Sequence, residues 1–142
     1  MYNMTTDEWR AFVSTGSRTG KVTTVHGPDG MPMITPVWFV LDGNDFVFTT
    51  GDGSAKVRNL RRNPQAALCV SDDDPPYAYV EVRGDVTLSD DLDEIMRIAT
   101  AAGARYMGEN KAEEFGRRNA VPGELLVRLH PTKIHAYAGL AD

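Results

Sequence analysis

The 142-residue chain is 42% hydrophobic with a formal net charge of −5, which fits one globular domain, residues 1–142, able to bury a core. An acidic chain repels a nucleic-acid backbone at long range, and no apolar run is long enough to span a bilayer, so nucleic-acid binding and membrane insertion are not expected. The stretch from Met1 to Arg10 is polar and has no basic segment leading into an apolar one, which points to a soluble cytoplasmic protein, and the lone Cys69 reads as a small buried hydrophobe.

Thr5-x-x-Glu8 has the spacing of a capping box, and Trp9, Phe12 and Val13 then share one helical face before Gly16, which predicts a short amphipathic helix. From Arg18 the period becomes that of strands. Lys21–His26 and Met33–Leu41 flank Pro28-Asp29-Gly30, and Asp42-Gly43-Asn44 leads into Asp45–Thr50, giving three antiparallel strands joined by hairpins. A helix over Ala55–Arg62 turns Val57 and Leu60 toward the sheet and stops at Asn63-Pro64, because the residue before a proline is driven out of the α region. A strand at Ala66–Ser71, an acidic loop at Asp72–Pro76 and a long strand at Tyr77–Leu88 follow, with Tyr77, Tyr79, Glu81 and Arg83 on one face. The loop lacks the ligand spacing of a calcium site, and His26, His130 and His135 have no paired metal-ligand spacing, so no metal is expected. Ser89-Asp90-Asp91 caps a helix bearing Leu92, Ile95, Met96 and Ala99, and a shorter helix spans Ala112–Arg118. Two β-like runs, Glu124–His130 and Thr132–Tyr137, close the chain around a hinge at His130-Pro131. Six or seven antiparallel strands with covering helices predict a mainly β fold, a closed or split barrel.

The segment from Phe46 to Pro64 carries the chemistry. A strand runs through Gly51-Asp52-Gly53 into a helix bearing Lys56, Arg58, Arg61 and Arg62 with no acid among them. Helix N-termini present unpaired N–H groups and partial positive charge, so an anion beside Ser54 would meet backbone donors, the hydroxyls of Thr49 and Thr50, and the Lys56 ammonium. A phosphorylated cofactor suits that cradle better than a polymer. No Gly-x-Ser-x-Gly elbow, Walker loop or Gly-x-Gly-x-x-Gly fingerprint is present, and no acid-base set stands out, so a cofactor of the flavin type would have to bring the reactivity.

Thr49-Thr50-Gly51-Asp52-Gly53-Ser54-Ala55-Lys56, followed by Asn63-Pro64, resembles the phosphate-binding segment of the pyridoxamine 5′-phosphate oxidase-like split-barrel flavoproteins. The resemblance runs from about Arg18 to Tyr137 and implies a six- to seven-stranded antiparallel split barrel, homodimeric, with cofactor clefts at the interface. Thr50, Ser54 and Lys56 match the family's phosphate ligands, while Ala55 stands where a first basic residue is usual. Leu129–Tyr137 resembles the last strand, with Tyr137 where an aromatic touches the cofactor. The strand Ile34–Phe39 lacks the arginine and lysine that the oxidases proper give to the FMN phosphate, and the chain has no tail with their substrate-binding arginine and histidine. Oxidation of pyridoxamine phosphate is therefore not expected.

Thr35–Phe39, Ser54–Pro64 and Tyr77–Gly84 resemble instead the deazaflavin-dependent branch, whose cofactor is coenzyme F420. That resemblance implies an oxidoreductase passing hydride from reduced F420 to a small conjugated acceptor. Pro36, Val37 and Trp38 would flank the ring, and Tyr79 would lie near it on a strand set across the dimer interface. Arg58, Asn59, Arg61 and Arg62 lie on the helix that would face the cofactor's anionic tail. An FMN enzyme of the same fold, or a flavin or deazaflavin carrier without turnover, are the alternatives. No catalytic acid is singled out among Tyr137, Tyr79 and His26.

Overall fold

The computed structural model describes residues 1–142. Its elements run β1 (Tyr2–Asn3), α1 (Thr6–Ser14), β2 (Gly20–Val25), β3 (Pro32–Val37), β4 (Val40–Asp42), β5 (Asp45–Gly51) and α2 (Ala55–Arg62). They continue with β6 (Gln65–Asp72), β7 (Ala78–Ser89), α3 (Leu92–Met107), a 3-10 turn (Glu109–Lys111), α4 (Ala112–Asn119) and β8 (Glu124–Ala138). All strand pairs are antiparallel, in the order β3-β2-β6-β7-β8-β5-β4, with β1 added to β8. The strands at the two ends of that order, β3 and β4, are joined by Trp38 and Phe39 alone. A sheet whose ends are so close in the chain must curl on itself, and the result is the split barrel expected from the sequence.

Inside the barrel, Val22, Phe39, Phe46, Phe48, Leu68, Val70, Val80, Val82, Val127 and Leu129 form the core, with Trp9 and Val13 of α1 and Leu60 of α2 packed onto it. A smaller cluster of Val47, Ile95, Ile98 and Leu126 glues α3 to the outside of β5 and β8. The Thr5 hydroxyl and Glu8 carboxylate make the reciprocal capping box at the start of α1, as its spacing predicts.

Four expectations change. The run Met33–Leu41 is two strands, because Phe39 leaves the ladder: its N–H donates to Tyr106 Oη at 3.3 Å and its carbonyl accepts from Arg105 Nη1 at 2.8 Å. The two closing runs are one 15-residue strand, β8, and the hinge at His130-Pro131 is a register shift opposite Arg83 and Gly84. Only glycine fits there, since a Cβ on Gly84 would lie 1.9 Å from the His130 carbonyl oxygen. Tyr77 stands outside β7 at φ 63°, so only Tyr79, Glu81 and Arg83 keep the shared face. Cys69 is half-buried on β6 rather than sealed in the core, and burial raises its thiol pKa, the Glu81 charge adding to that.

A cluster of charges ties α3 to the β4–β5 hairpin. Arg128 reaches Asp42 at 2.8 Å, Asp45 at 3.0 Å and Glu94 at 3.0 Å, and Arg97 forks onto Asp42. These bonds, Arg97 first and Arg128 second, hold the Asp42 carboxyl at about 2, against 3.8 for a free aspartate. A depressed carboxylate pKa gives stability that is fully present above the unfolded value and disappears as pH falls through the folded one. Unfolding midpoints are therefore expected to hold above about pH 4 and to drop between about pH 4 and 2. The drop should be shallower in Asp42→Asn, which denaturant titrations across that range will measure; equal slopes would count against the cluster.

Candidate functional site

The barrel seam is where the candidate site opens. A cavity of about 280 Å³ is lined by Pro36 and Val37 from the end of β3, Trp38 just after it, Thr49 and Thr50 from β5, Lys56 from α2 and Glu124 from β8. Ala99 and Ala102 of α3 and Phe115 and Asn119 of α4 complete the lining. Two alanines on one helix face leave room that larger side chains would fill. The Trp38 ring stacks on Tyr106 at 5.3 Å between centroids and 7° between planes, and meets Phe115 at 5.5 Å and 57°. Held by that pair, Trp38 remains 38% exposed, a large flat apolar surface at the cavity wall.

Around Thr50 and Lys56 the local sequence builds an anion cradle. Ser54 caps α2, its Oγ accepting from Val57 N–H at 3.3 Å, and its own N–H donates to the Gly51 carbonyl. The Thr50 hydroxyl lies 3.5 Å from Ser54 Oγ. The N–H groups of Ala55 and Lys56, in the first turn of α2, have no protein partner, and the Lys56 side chain reaches the cavity beside them. The donor set of two threonine hydroxyls, an ammonium and free helix N–H groups fits a phosphate. Next along β3 from Pro36, the Thr35 hydroxyl is buried without a hydrogen-bond partner, but Thr35 is not part of the cavity lining.

Of the residues singled out in the sequence, Pro36, Val37, Trp38, Thr49, Thr50 and Lys56 meet in this one cavity, and Ser54 caps the helix at its edge. The others lie elsewhere. Asn59 is buried against the sheet, its amide donating to Thr24 Oγ1 at 3.0 Å and to Met33 Sδ at 3.2 Å. Arg58 folds back to the Gly53 carbonyl at 2.8 Å and so braces the turn. Arg61 lines a neighbouring depression with Asp52, Asp90 and Glu124, and Arg62 packs so closely over Gly27 that a Cβ there would lie 2.3 Å from its Cδ. The stripe of arginines thus fans out in three directions instead of forming one track. Tyr79 and Tyr137 are register partners with rings 5.8 Å apart, at the end of β8 remote from Leu125, the partner of Thr50.

Sequence reasoning did not find Ala99, Ala102, Phe115, Asn119 or Glu124. Glu124 is the one with chemistry. It opens β8 opposite Gly51, and burial raises its carboxyl pKa; a hydrogen bond from Thr49 opposes that shift and the Asp52 charge adds to it.

The chain matches, over residues 5–138, a family model described as pyridoxamine 5′-phosphate oxidase. Among solved structures it is similar to a protein described as an F420 reductase, at 30% identity, a TM-score of 0.67, and coverage of 87% of this chain and 94% of that one. A conserved hypothetical protein from Mycobacterium tuberculosis shares the fold at 24% identity and a TM-score of 0.84, covering 96% of this chain and 86% of that one. The heme storage protein HutZ from Vibrio cholerae shares it at 18% identity and a TM-score of 0.72, covering 96% and 98%. A search of curated proteins found no match.

Proposed function

The chain belongs to the pyridoxamine 5′-phosphate oxidase family, and from that premise we propose that it is a coenzyme F420-dependent oxidoreductase that reduces a small conjugated acceptor. The observation that carries the reading is the single cavity that Lys56, Thr49 and Thr50 share with the exposed Trp38 ring. The first group suits a phosphate and the ring a flat heterocycle. When bound, the reduced deazaflavin supplies a hydride at its C5 carbon.

This chain's own residues act by holding and orienting. Lys56, the two threonine hydroxyls and the first turn of α2 anchor the phosphate. Trp38, fixed by Tyr106 and Phe115, presents the face against which the ring lies, and the small side chains of Ala99 and Ala102 leave the space beside it. Fixing ring and acceptor in register lowers the entropic part of the barrier, and no side chain in the cavity needs to act as nucleophile. The 30% identity to an F420 reductase supports the deazaflavin over FMN. So does the cavity's single cation, since the FMN phosphate of the oxidases proper is met by further basic residues on the strand equivalent to β3.

A cavity of about 280 Å³ lies at the small end of ligand pockets and holds only part of such a cofactor. The rest would extend over the surface, where a second copy can cover it. Exposed Met31, Ile34 and Val25 on the β2–β3 hairpin give a cytoplasmic homodimer an apolar face to bury. The Tyr79–Tyr137 pair, remote from its own cavity, would then serve at the interface. No helix is long and apolar enough to cross a membrane.

The test is a titration of protein purified from a host lacking the deazaflavin. The protein should be colourless and should bind F420, and the loaded protein should reduce unsaturated acceptors. Ala102→Leu, which fills the cavity without adding charge, should weaken F420 binding about tenfold or more while leaving the unfolding midpoint close to wild type. Yellow protein holding FMN that F420 does not displace would favour the FMN enzyme, and binding without turnover across a broad acceptor panel would favour a carrier.

A further inference from the structure

The side chains converging on the cavity include one cation, Lys56, and one carboxylate, Glu124. A fixed carboxylate in an anion site opposes its ligand at short range, where solvent screens poorly. The fold keeps Glu124 there: it pairs across β5 with Gly51, and its Oε1 lies 3.9 Å from where a Gly51 Cβ would stand. Thr49 of β5 and Asp52 of the following turn bear on the carboxyl, and Lys56 shares the cavity from α2. Arg61 and Asp90 share the adjoining depression, while α3 and α4 bring only the uncharged Ala99, Ala102, Phe115 and Asn119.

We propose that Glu124 selects the kind of phosphate the cavity accepts, admitting a singly charged phosphodiester and rejecting a doubly charged phosphomonoester. The inference rests on the reading of the cavity as the cofactor's phosphate site and adds a selection rule to it. With Glu124 ionised, the formal charges of the lining cancel. A diester brings one negative charge, which Lys56, the threonine hydroxyls and the α2 N–H groups can satisfy. A monoester above its second ionisation, near about pH 6, brings a further charge that has no second cation to meet and a carboxylate to repel it. The phosphate of F420, esterified on both sides, is of the first kind, and that of FMN is of the second.

Calorimetric titration with FMN and with its phosphate monomethyl ester, which share a ring and differ by one charge, isolates the effect. At about pH 8, wild type should bind the ester about tenfold or more tightly than FMN. Glu124→Gln, which keeps the shape and removes the charge, should bring the two within about twofold by tightening FMN. A wild type that binds the ester no better than FMN, or a ratio unchanged in Glu124→Gln, overturns the proposal. Lys56→Ala separates the two readings. If it weakens the ester while Glu124→Gln leaves the ratio unchanged, the phosphate site stands and the selection rule falls; if it leaves the ester's affinity unchanged, both fall.

Discussion

Replacing Arg105 by alanine is expected to lower the unfolding free energy by about 3 kcal/mol or more, the largest effect of any single polar substitution in this chain. Its guanidinium donates to the carbonyls of Val13 at 2.6 Å, Gly16 at 2.9 Å, Phe39 at 2.8 Å and Arg18 at 3.4 Å. Those carbonyls belong to the end of α1, the loop after it and the seam between β3 and β4, so one side chain on α3 fastens three parts of the fold. Burial lowers the Arg105 pKa and no acid pairs with it, so the carbonyls themselves supply the compensation. Truncation takes the guanidinium from the Val13 and Gly16 carbonyls, each a cost of about 1–3 kcal/mol that local water only partly recovers, while the Arg18 and Phe39 carbonyls share what remains, the Tyr106 hydroxyl at 2.9 and 3.2 Å. Lysine cannot reach several carbonyls in a plane, so Arg105→Lys should restore less than half of the loss. Chemical denaturation of the three proteins measures this, and an Arg105→Ala variant as stable as wild type would contradict it. The same change should loosen Trp38, because Phe39 is the residue that Arg105 and Tyr106 hold out of the ladder.

Lys56→Ala is expected to weaken cofactor binding by about 1.5 to 3 kcal/mol, the range of a charge-assisted hydrogen bond to phosphate. The fold should not suffer. Lys56 makes no salt bridge within the chain, and α2 is fixed by the buried Val57 and Leu60 and by the Ser54 cap. Lys56→Arg should keep part of the affinity, since it retains charge while changing reach. Comparison with Arg58→Ala is informative. Arg58 is spent on the Gly53 carbonyl, so its removal should cost less affinity than removal of Lys56. Equal losses would mean that the cationic stripe acts as a diffuse field and that the cavity is not a discrete site.

What the sequence revealed, it revealed where local rules decide. The capping box at Thr5 and Glu8 and the stop at Asn63-Pro64 depend on neighbours within a turn, and both are present in the structure. The shared face of Tyr79, Glu81 and Arg83 likewise placed β7 to within one residue at each end. The break at Trp38 and Phe39 was invisible, because its cause lies on α3, remote in sequence, at Arg105 and Tyr106.

The candidate site divides along the same line. Thr49, Thr50 and Lys56 lie within one strand–turn–helix unit, so their convergence could be read directly. Glu124 joins them only through the β5–β8 ladder, and Ala99, Ala102, Phe115 and Asn119 only through the docking of α3 and α4; neither is written in local spacing. Small apolar residues such as Ala99 and Ala102 carry no signal of their own, since an alanine beside a ligand looks like any alanine on a buried helix face. Asn59 shows the converse, a polar residue in a cationic helix whose amide serves Thr24.

In the proposed function the cofactor phosphate binds in the seam cavity. A crystal structure of the protein with F420 tests that most directly. The phosphate should lie within hydrogen-bond distance of Lys56 Nζ and the Thr50 hydroxyl, at the first turn of α2, with the ring against Trp38. A phosphate bound instead in the depression between Thr23, Asn63, Arg83 and Thr132, away from Lys56, would contradict it.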